Sequence, residues 1–303
     1  MKERSIEKLE KDRGILDKRA LIVAASITLL VSGAFNQAQA TEPCDDFDEC
    51  KVLVEINATD GDIGFHWLID AEDLNSTRID DANGSKVYEN KAYGPLKDQK
   101  LTETFGESAE PICKESLKEE EDDVVVTVSD FVGRWVAGPY DISGKSDGGE
   151  QLSGETHLTH WLPAAPNGVA FDQNSGVISW NAGDDLGECA DVNELTGLVS
   201  ASILPVHPMN VPISTWEVVF EVEDFPNLKF AARIPFDNST MVTLPNEISA
   251  IINDTSKVPN NTKAKVEVGA IGGNLTVILD DDNATFSETP ICLNEVAPGC
   301  QED

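Results

Sequence analysis

Apolar and polar side chains alternate most regularly over residues 215–223, where Trp216, Val218, Phe220 and Val222 fall on one face and Glu217, Glu221 and Glu223 on the other. A period of two marks a strand with one face buried. Similar alternation recurs at Ile178 and Trp180, at Phe230, Ala232 and Ile234, at Val242 and Leu244 ahead of Pro245, and at Val266, Val268 and Ala270. Short strands at this spacing predict a β-sandwich, with residues 275–279 or 284–289 as its closing edge. Residues 181–214, with Cys189, Pro205, Pro208 and Pro212, predict a long irregular insertion between two of these strands.

The first half carries the same signal. Val52, Val54 and Ile56 alternate with Lys51, Leu53 and Glu55, and after Asp60-Gly61-Asp62 the residues Phe65, Trp67 and Ile69 share a face, which predicts a hairpin. Residues 76–80 and 86–93 flank Ala82-Asn83-Gly84, a strong hairpin turn. Residues 140–145 and 151–161 flank Asp147-Gly148-Gly149 and form a third. Ser129 predicts the cap of a short helix over residues 130–136, ending near Gly138 and plugging the sheet with Phe131 and Trp135. Pro163-Ala164-Ala165-Pro166-Asn167-Gly168 reads as a linker. The fold class expected is therefore all-β, with two β-sandwich-like domains at residues 41–165 and 166–292 and a tail at 293–303.

The 303-residue chain opens with seven basic residues before position 20, then an uncharged apolar run and Ala38-Gln39-Ala40. This is the layout of a signal peptide over residues 1–40, cleaved before Thr41. Retention as an anchor is the rival, although sixteen apolar residues fall short of the ~20 that cross a bilayer. Cleavage leaves 15 Lys and Arg against 50 Asp and Glu. Such a surface repels nucleic acid and anionic lipid. Cys44, Cys50, Cys113, Cys189, Cys292 and Cys300 all follow the cleavage point, and an even count in an exported chain argues for disulfides. Fifteen pairings are open. Loop proximity favours Cys44 with Cys50 and Cys292 with Cys300, leaving Cys113 with Cys189.

Ile178-Ser179-Trp180, residues 216–223, residues 241–245, and residues 262–270 followed by Gly272-Gly273-Asn274 resemble strands B, C, E and F of a fibronectin type III domain. Ala264 stands where that family's strand-F tyrosine would be. Residues 57–64, Leu101-Thr102-Glu103, residues 107–111 and residues 154–160 are similar to the amino-terminal half of uncharacterised exported microbial proteins that carry such a module at their carboxyl end. The resemblance implies the fold and extracellular binding or scaffolding, and brings no activity with it.

Candidate chemistry is sparse. Asp60, Asp62 and Gly64 have the spacing that opens a calcium loop, and Asp70, Glu72 or Asp73 would have to fold back to complete it. Ca2+ is thus the only cofactor the residues suggest. Asp280-Asp281-Asp282 reads as a solvated turn. His157 and His160, three apart on a strand, point to opposite faces and cannot share a metal. The chain has no HExxH and no glycine-rich phosphate loop. Trp161 is the tryptophan best placed for an exposed sugar-stacking surface. Eight Asn-x-Ser/Thr sequons stand at Asn57, Asn75, Asn83, Asn238, Asn253, Asn260, Asn274 and Asn283, and glycosylation there would mark exposed loops. The function expected is a non-catalytic secreted or cell-surface protein for extracellular binding, adhesion or scaffolding, with an extracellular protein or glycan as its partner. The alternatives are a self-assembling filament subunit, in which residues 41–57 complete a neighbour's sheet, and a carbohydrate-active enzyme.

Overall fold

The computed structural model describes residues 44–236, 239–275, 282–297 and 299–300. The signal peptide, Asn238, Asp280 and Asp281 lie outside them. In chain order the elements are β1 (Glu49–Asn57), β2 (Asp62–Asp80), β3 (Lys86–Lys91), α1 (Gly94–Gln99), β4 (Leu101–Glu107), α2 (Val128–Arg134), β5 (Gly138–Ser146), β6 (Gln151–Leu158), β7 (Asn167–Asp172), β8 (Val177–Asn181), α3 (Val192–Ser200), β9 (Ile213–Val222), β10 (Lys229–Pro235), β11 (Met241–Thr243), α4 (Asn246–Ile252), β12 (Thr262–Gly272) and β13 (Asn283–Leu293). The chain is all-β in class, with strands gathered into two sheets.

The larger sheet has the order β10-β9-β12-β13-β1-β2-β5-β6, with β3 and β4 also paired to β2. The smaller sheet is β11-β8-β7. In the second half the small sheet packs on β9 and β12 around Trp180, Trp216, Phe220, Val266 and Val268, all buried. Taking residues 178–180 as strand B and 241–243 as E, B pairs with E in one sheet. Residues 216–222 and 262–270, as C and F, pair in the other. That division is the immunoglobulin-type one. Completely burying each of Trp216 and Phe220 stabilises the sandwich by roughly 1.5–3 kcal/mol.

Several expectations are corrected. Residues 65–70 and 76–80 belong to one continuous strand, β2, whose register shifts between Asp70 and Ser76 around Asp73 at φ 62°. A bulge there, where Glu72 and Asp73 turn to solvent, bends the strand without ending it. The cap of α2 is Thr127, not Ser129: its hydroxyl accepts from the Asp130 N–H and donates to the Asp130 carboxylate, so the helix starts two residues earlier, at Val128. Trp135 then stacks flat on Phe65 at 3.9 Å between centroids. The Pro163–Gly168 composition predicts a linker, yet residues 162–166 are buried, and the Ala165 N–H donates to the Asp185 carbonyl. The insertion is not irregular throughout: Asp191 and Glu194 form a capping box that starts α3. Leu186, Cys189, Leu195 and Leu204 from it join the first-half core.

β13 is also not an edge. It runs antiparallel to β12 on one side and parallel to β1 on the other, which fuses the two halves into one sheet. The described residues accordingly lie within one compact unit. The six cysteines pair as Cys44–Cys50, Cys113–Cys189 and Cys292–Cys300. The second of these ties the insertion to the loop after β4. Among the described residues no helix is long and apolar enough to cross a membrane.

Candidate functional site

The most concentrated chemistry lies where β1 and β2 meet on the face of the large sheet turned away from the first core. Val54, Ile56, Ile63 and Phe65 are buried, so alternation sends Glu55, Asp62, Gly64 and His66 to the opposite face. Register places Glu55 directly across from Gly64, with Leu53 across from His66. Glu110 comes from 44 residues further along the chain and is held over the same spot. The Phe65 carbonyl accepts the Ser108 N–H at 2.8 Å, the Ser108 hydroxyl accepts the Phe65 N–H at 2.9 Å, and the Ile63 N–H reaches the Pro111 carbonyl at 3.2 Å. These bonds pin residues 108–111 alongside β2.

Gly64 makes the convergence possible. A Cβ there would stand 3.0 Å from His66 Nε2 and 3.1 Å from Glu110 Oε1, tighter than a side chain tolerates without displacement. His66 Nε2 lies 3.3 Å from Glu110 Oε1, and Nδ1 lies 3.8 Å from Glu55 Oε2. Among the described residues these three form the one group of His, Cys, Asp and Glu side chains whose ligand atoms all lie within 4.8 Å of one another.

The electrostatics is that of uncompensated negative charge. Burial pushes the Glu55 carboxyl up to about 7, with Glu110, Glu267 and Glu217 adding to the rise and His66 opposing it. Asp62 is raised to about 6 by burial and by the charges of Glu110 and Asp60. Burial works against the imidazolium of His66, but the hydrogen bond to Glu110 and the charge of Glu55 outweigh it and raise its pKa. The carboxyl shifts come from burial and like charge, and the imidazole shift from its two carboxylate neighbours.

The residues singled out by sequence are scattered. Asp60 accepts from Asn57 Nδ2 at 2.8 Å, and Asn57 Oδ1 caps the Thr59 and Asp60 N–H groups, so that turn is satisfied within itself. The calcium loop cannot close as expected, because β2 carries Asp70, Glu72 and Asp73 away along an extended strand, and Asp73 pairs with Lys100 at 2.9 Å. Asp62 alone of that set borders the cluster. Asp282 pairs with Lys51 at 2.9 Å. His157 is near Glu155, while His160 Nε2 sits 2.7 Å from the Trp135 carbonyl. Trp180 and Trp216 meet edge to face in the core, and Trp161 is half-buried.

Of the sequons, Asn83, Asn253 and Asn260 are exposed, and Asn57, Asn75 and Asn274 are half-buried. Asn283 is a correction. It is fully buried, its Oδ1 accepts the Val54 N–H at 2.8 Å, and its Nδ2 donates to Thr159 and Trp161. A glycan there has neither room nor a free nitrogen. Two open clefts, one of about 390 Å³ lined by Ser108, Pro111, Phe131 and Trp135 and one of about 430 Å³ lined by Phe225, Leu228 and Ile251, involve no residue of the insertion.

Sequence reasoning missed Glu55, His66 and Glu110. The first two could have been found by writing out the hairpin register, since both occupy outward positions flanking Gly64. Glu110 could not, because its place depends on the tertiary clamp at Ser108.

No family model and no curated protein matches the chain. Solved structures similar to it include a tetra-tandem repeat from the extending region of a large adhesion protein, at 10% identity and TM-score 0.23, covering 80% of this chain and 50% of that one. The FN1–FN3 domains of chicken CNTN1 align at 9% identity and TM-score 0.23, covering 84% and 68%. Fibronectin(III)-like modules of Clostridium thermocellum CbhA align at 8% and 0.20, covering 84% and 99%. The chain thus spans about half the length of the adhesion-repeat structure.

Proposed function

We propose that the protein is a non-catalytic secreted or cell-surface module that binds an extracellular protein or glycan, or serves as a scaffold between such partners. The observation that carries this reading is covalent: all six cysteines are paired, and one pair links an insertion of the second half to the first-half core. Disulfides of this kind form and persist in oxidising compartments. The excess of 50 acidic over 15 basic residues after position 40 suits a soluble spacer or binding body outside the cell. The immunoglobulin-type sandwich supplies loops at its ends on which binding residues are commonly carried.

The filament reading loses its proposed donor. Residues 49–57 already pair with β2 along their whole length and residues 55–57 also with β13, so withdrawing them would open the chain's own sheet. Among the described residues the strands at the ends of the two sheets, β10 and β6 in the larger and β11 and β7 in the smaller, are where strand addition would instead act. Fractionation of the source cells, followed by binding assays of the purified protein on extracellular-matrix and glycan arrays, tests the proposal. Extracellular, fully oxidised protein with saturable binding supports it. Reduced protein inside the cell, or turnover of glycan, ester or peptide substrates that disappears on changing one carboxylate, overturns it.

A further inference from the structure

The Glu55, His66 and Glu110 cluster is built in a way that solubility does not require. Three of its elements are independent of one another. An imidazole sits between two carboxylates, a glycine opposite them leaves a hollow that a Cβ would fill, and Asp62 Oδ1, sealed from solvent beside them, has no hydrogen-bond partner. Elsewhere on the same sheet face, part-buried carboxylates are matched by lysines: Asp282 and Glu49 with Lys51, and Glu288 with Lys265. Among the described residues no lysine or arginine pairs with Glu55, Asp62 or Glu110. The charged groups that act on the cluster from other strands, Glu107, Glu217 and Glu267, add negative charge.

We propose that this hollow binds one divalent first-row transition-metal ion, Zn2+ or Mn2+, through one imidazole nitrogen of His66 and one carboxylate oxygen each of Glu55 and Glu110, with water completing the shell. Two ligands bound at ~2.1 Å to a tetrahedral ion lie ~3.4 Å apart, which matches the 3.3 Å between His66 Nε2 and Glu110 Oε1. Donor atoms within 4.8 Å of one another need close on a central ion by less than ~1 Å each to reach that bond length. Hydrogen bonds from residues 108–111 to β2 hold Glu110 in place before the ion arrives. The imidazole decides the class of metal: Ca2+ takes oxygen ligands, whereas histidine nitrogen suits zinc and its neighbours. The site is therefore distinct from the calcium loop that Asp60 and Asp62 suggest. It also stands apart from the binding role proposed above, and either can fail without the other.

The test is calorimetric titration of the full chain, stripped with chelator, against Zn2+, Mn2+ and Ca2+ separately. One Zn2+ or Mn2+ per chain is expected, with Ca2+ at least ~10-fold weaker. His66→Gln and Glu110→Gln should each weaken Zn2+ or Mn2+ binding at least ~10-fold, with an unchanged melting temperature in chelator. His157→Gln, outside the hollow, should leave binding as it was. Should a variant fail to fold, the wild-type chain suffices: saturating Zn2+ should protect His66, and not His157, from acylation mapped by mass spectrometry. Absence of one-per-chain binding overturns the site. Binding that survives His66→Gln, Ca2+ binding as tight as Zn2+, or His66 acylated equally with and without Zn2+ also overturns it.

Discussion

At the scale of single residues, Asn283 and Glu267 have opposite effects on stability. Asn283 fills the corner where β1 and β13 start to pair, and its amide answers the Val54 N–H on one strand and the Thr159 and Trp161 groups beyond β6. Asn283→Ala removes the acceptor of the buried Val54 N–H and the amide that donates to Thr159 and Trp161, so a loss of about 3 kcal/mol is expected from urea unfolding. The same burial means that the peptide containing Asn283 should be unmodified in material from a glycosylating host, whatever happens at Asn83, Asn253 and Asn260. Glu267 is the reverse case. Burial raises its pKa and outweighs the opposing charge of Lys265, with Glu288 and Glu217 adding to the rise and Lys229 opposing it. The folded state therefore holds its proton more tightly than the unfolded chain does. Stability contributed below the ordinary value of 4.5 is lost as pH rises through that value toward the folded one. Glu267→Gln should raise the melting temperature at about pH 8 and have little effect at about pH 4, as a scan at both values would check.

Among the elements, the staples differ in what they hold. Cys113–Cys189 closes a separation of 76 residues, while Cys44–Cys50 closes one of 6. Chain-entropy reasoning gives about 4.5 kcal/mol for the first and about 2 kcal/mol for the second. Paired serine substitutions compared by denaturant unfolding should show this order, with Cys113→Ser/Cys189→Ser also releasing α3 to faster hydrogen exchange. The legibility of the sequence varied along the same lines. Strands such as β9 and β12 were readable because one face is wholly apolar, and the pattern is local. The continuity of β2 was not, because its acidic bulge at Glu72 and Asp73 has the composition of a turn. The buried Pro163–Pro166 stretch misled for a similar reason: its proline and alanine content suits a linker, and only the tight approach of residues 183–185 encloses it. Glu110 reaches the cluster through hydrogen bonds to β2, which no periodicity records.

For the whole molecule, the question is whether two hydrophobic cores behave as one folding unit. Each core is large enough to suggest independence, one built around Phe65, Tyr140 and Ile142 and the other around Trp216, Phe220 and Val266. Three features couple them. β1 and β13 share a parallel ladder, Asn283 bonds to both β1 and the segment after β6, and Lys51 pairs with Asp282 across the same junction. The insertion adds a fourth link, since it leaves the second sandwich, packs on the first core and is locked there by Cys113–Cys189. Unfolding either core alone would expose the edge of a central strand and strand a buried asparagine, a penalty of several kcal/mol on partial unfolding. A single cooperative transition is therefore expected, with hydrogen-exchange midpoints in urea coinciding for β2 and β5 in one half and β9 and β12 in the other. Asn283→Ala should separate those midpoints, because it removes the bond network at the junction while leaving both cores packed. Two distinct midpoints in the wild-type chain would mean that the shared sheet joins the cores geometrically without coupling their stabilities.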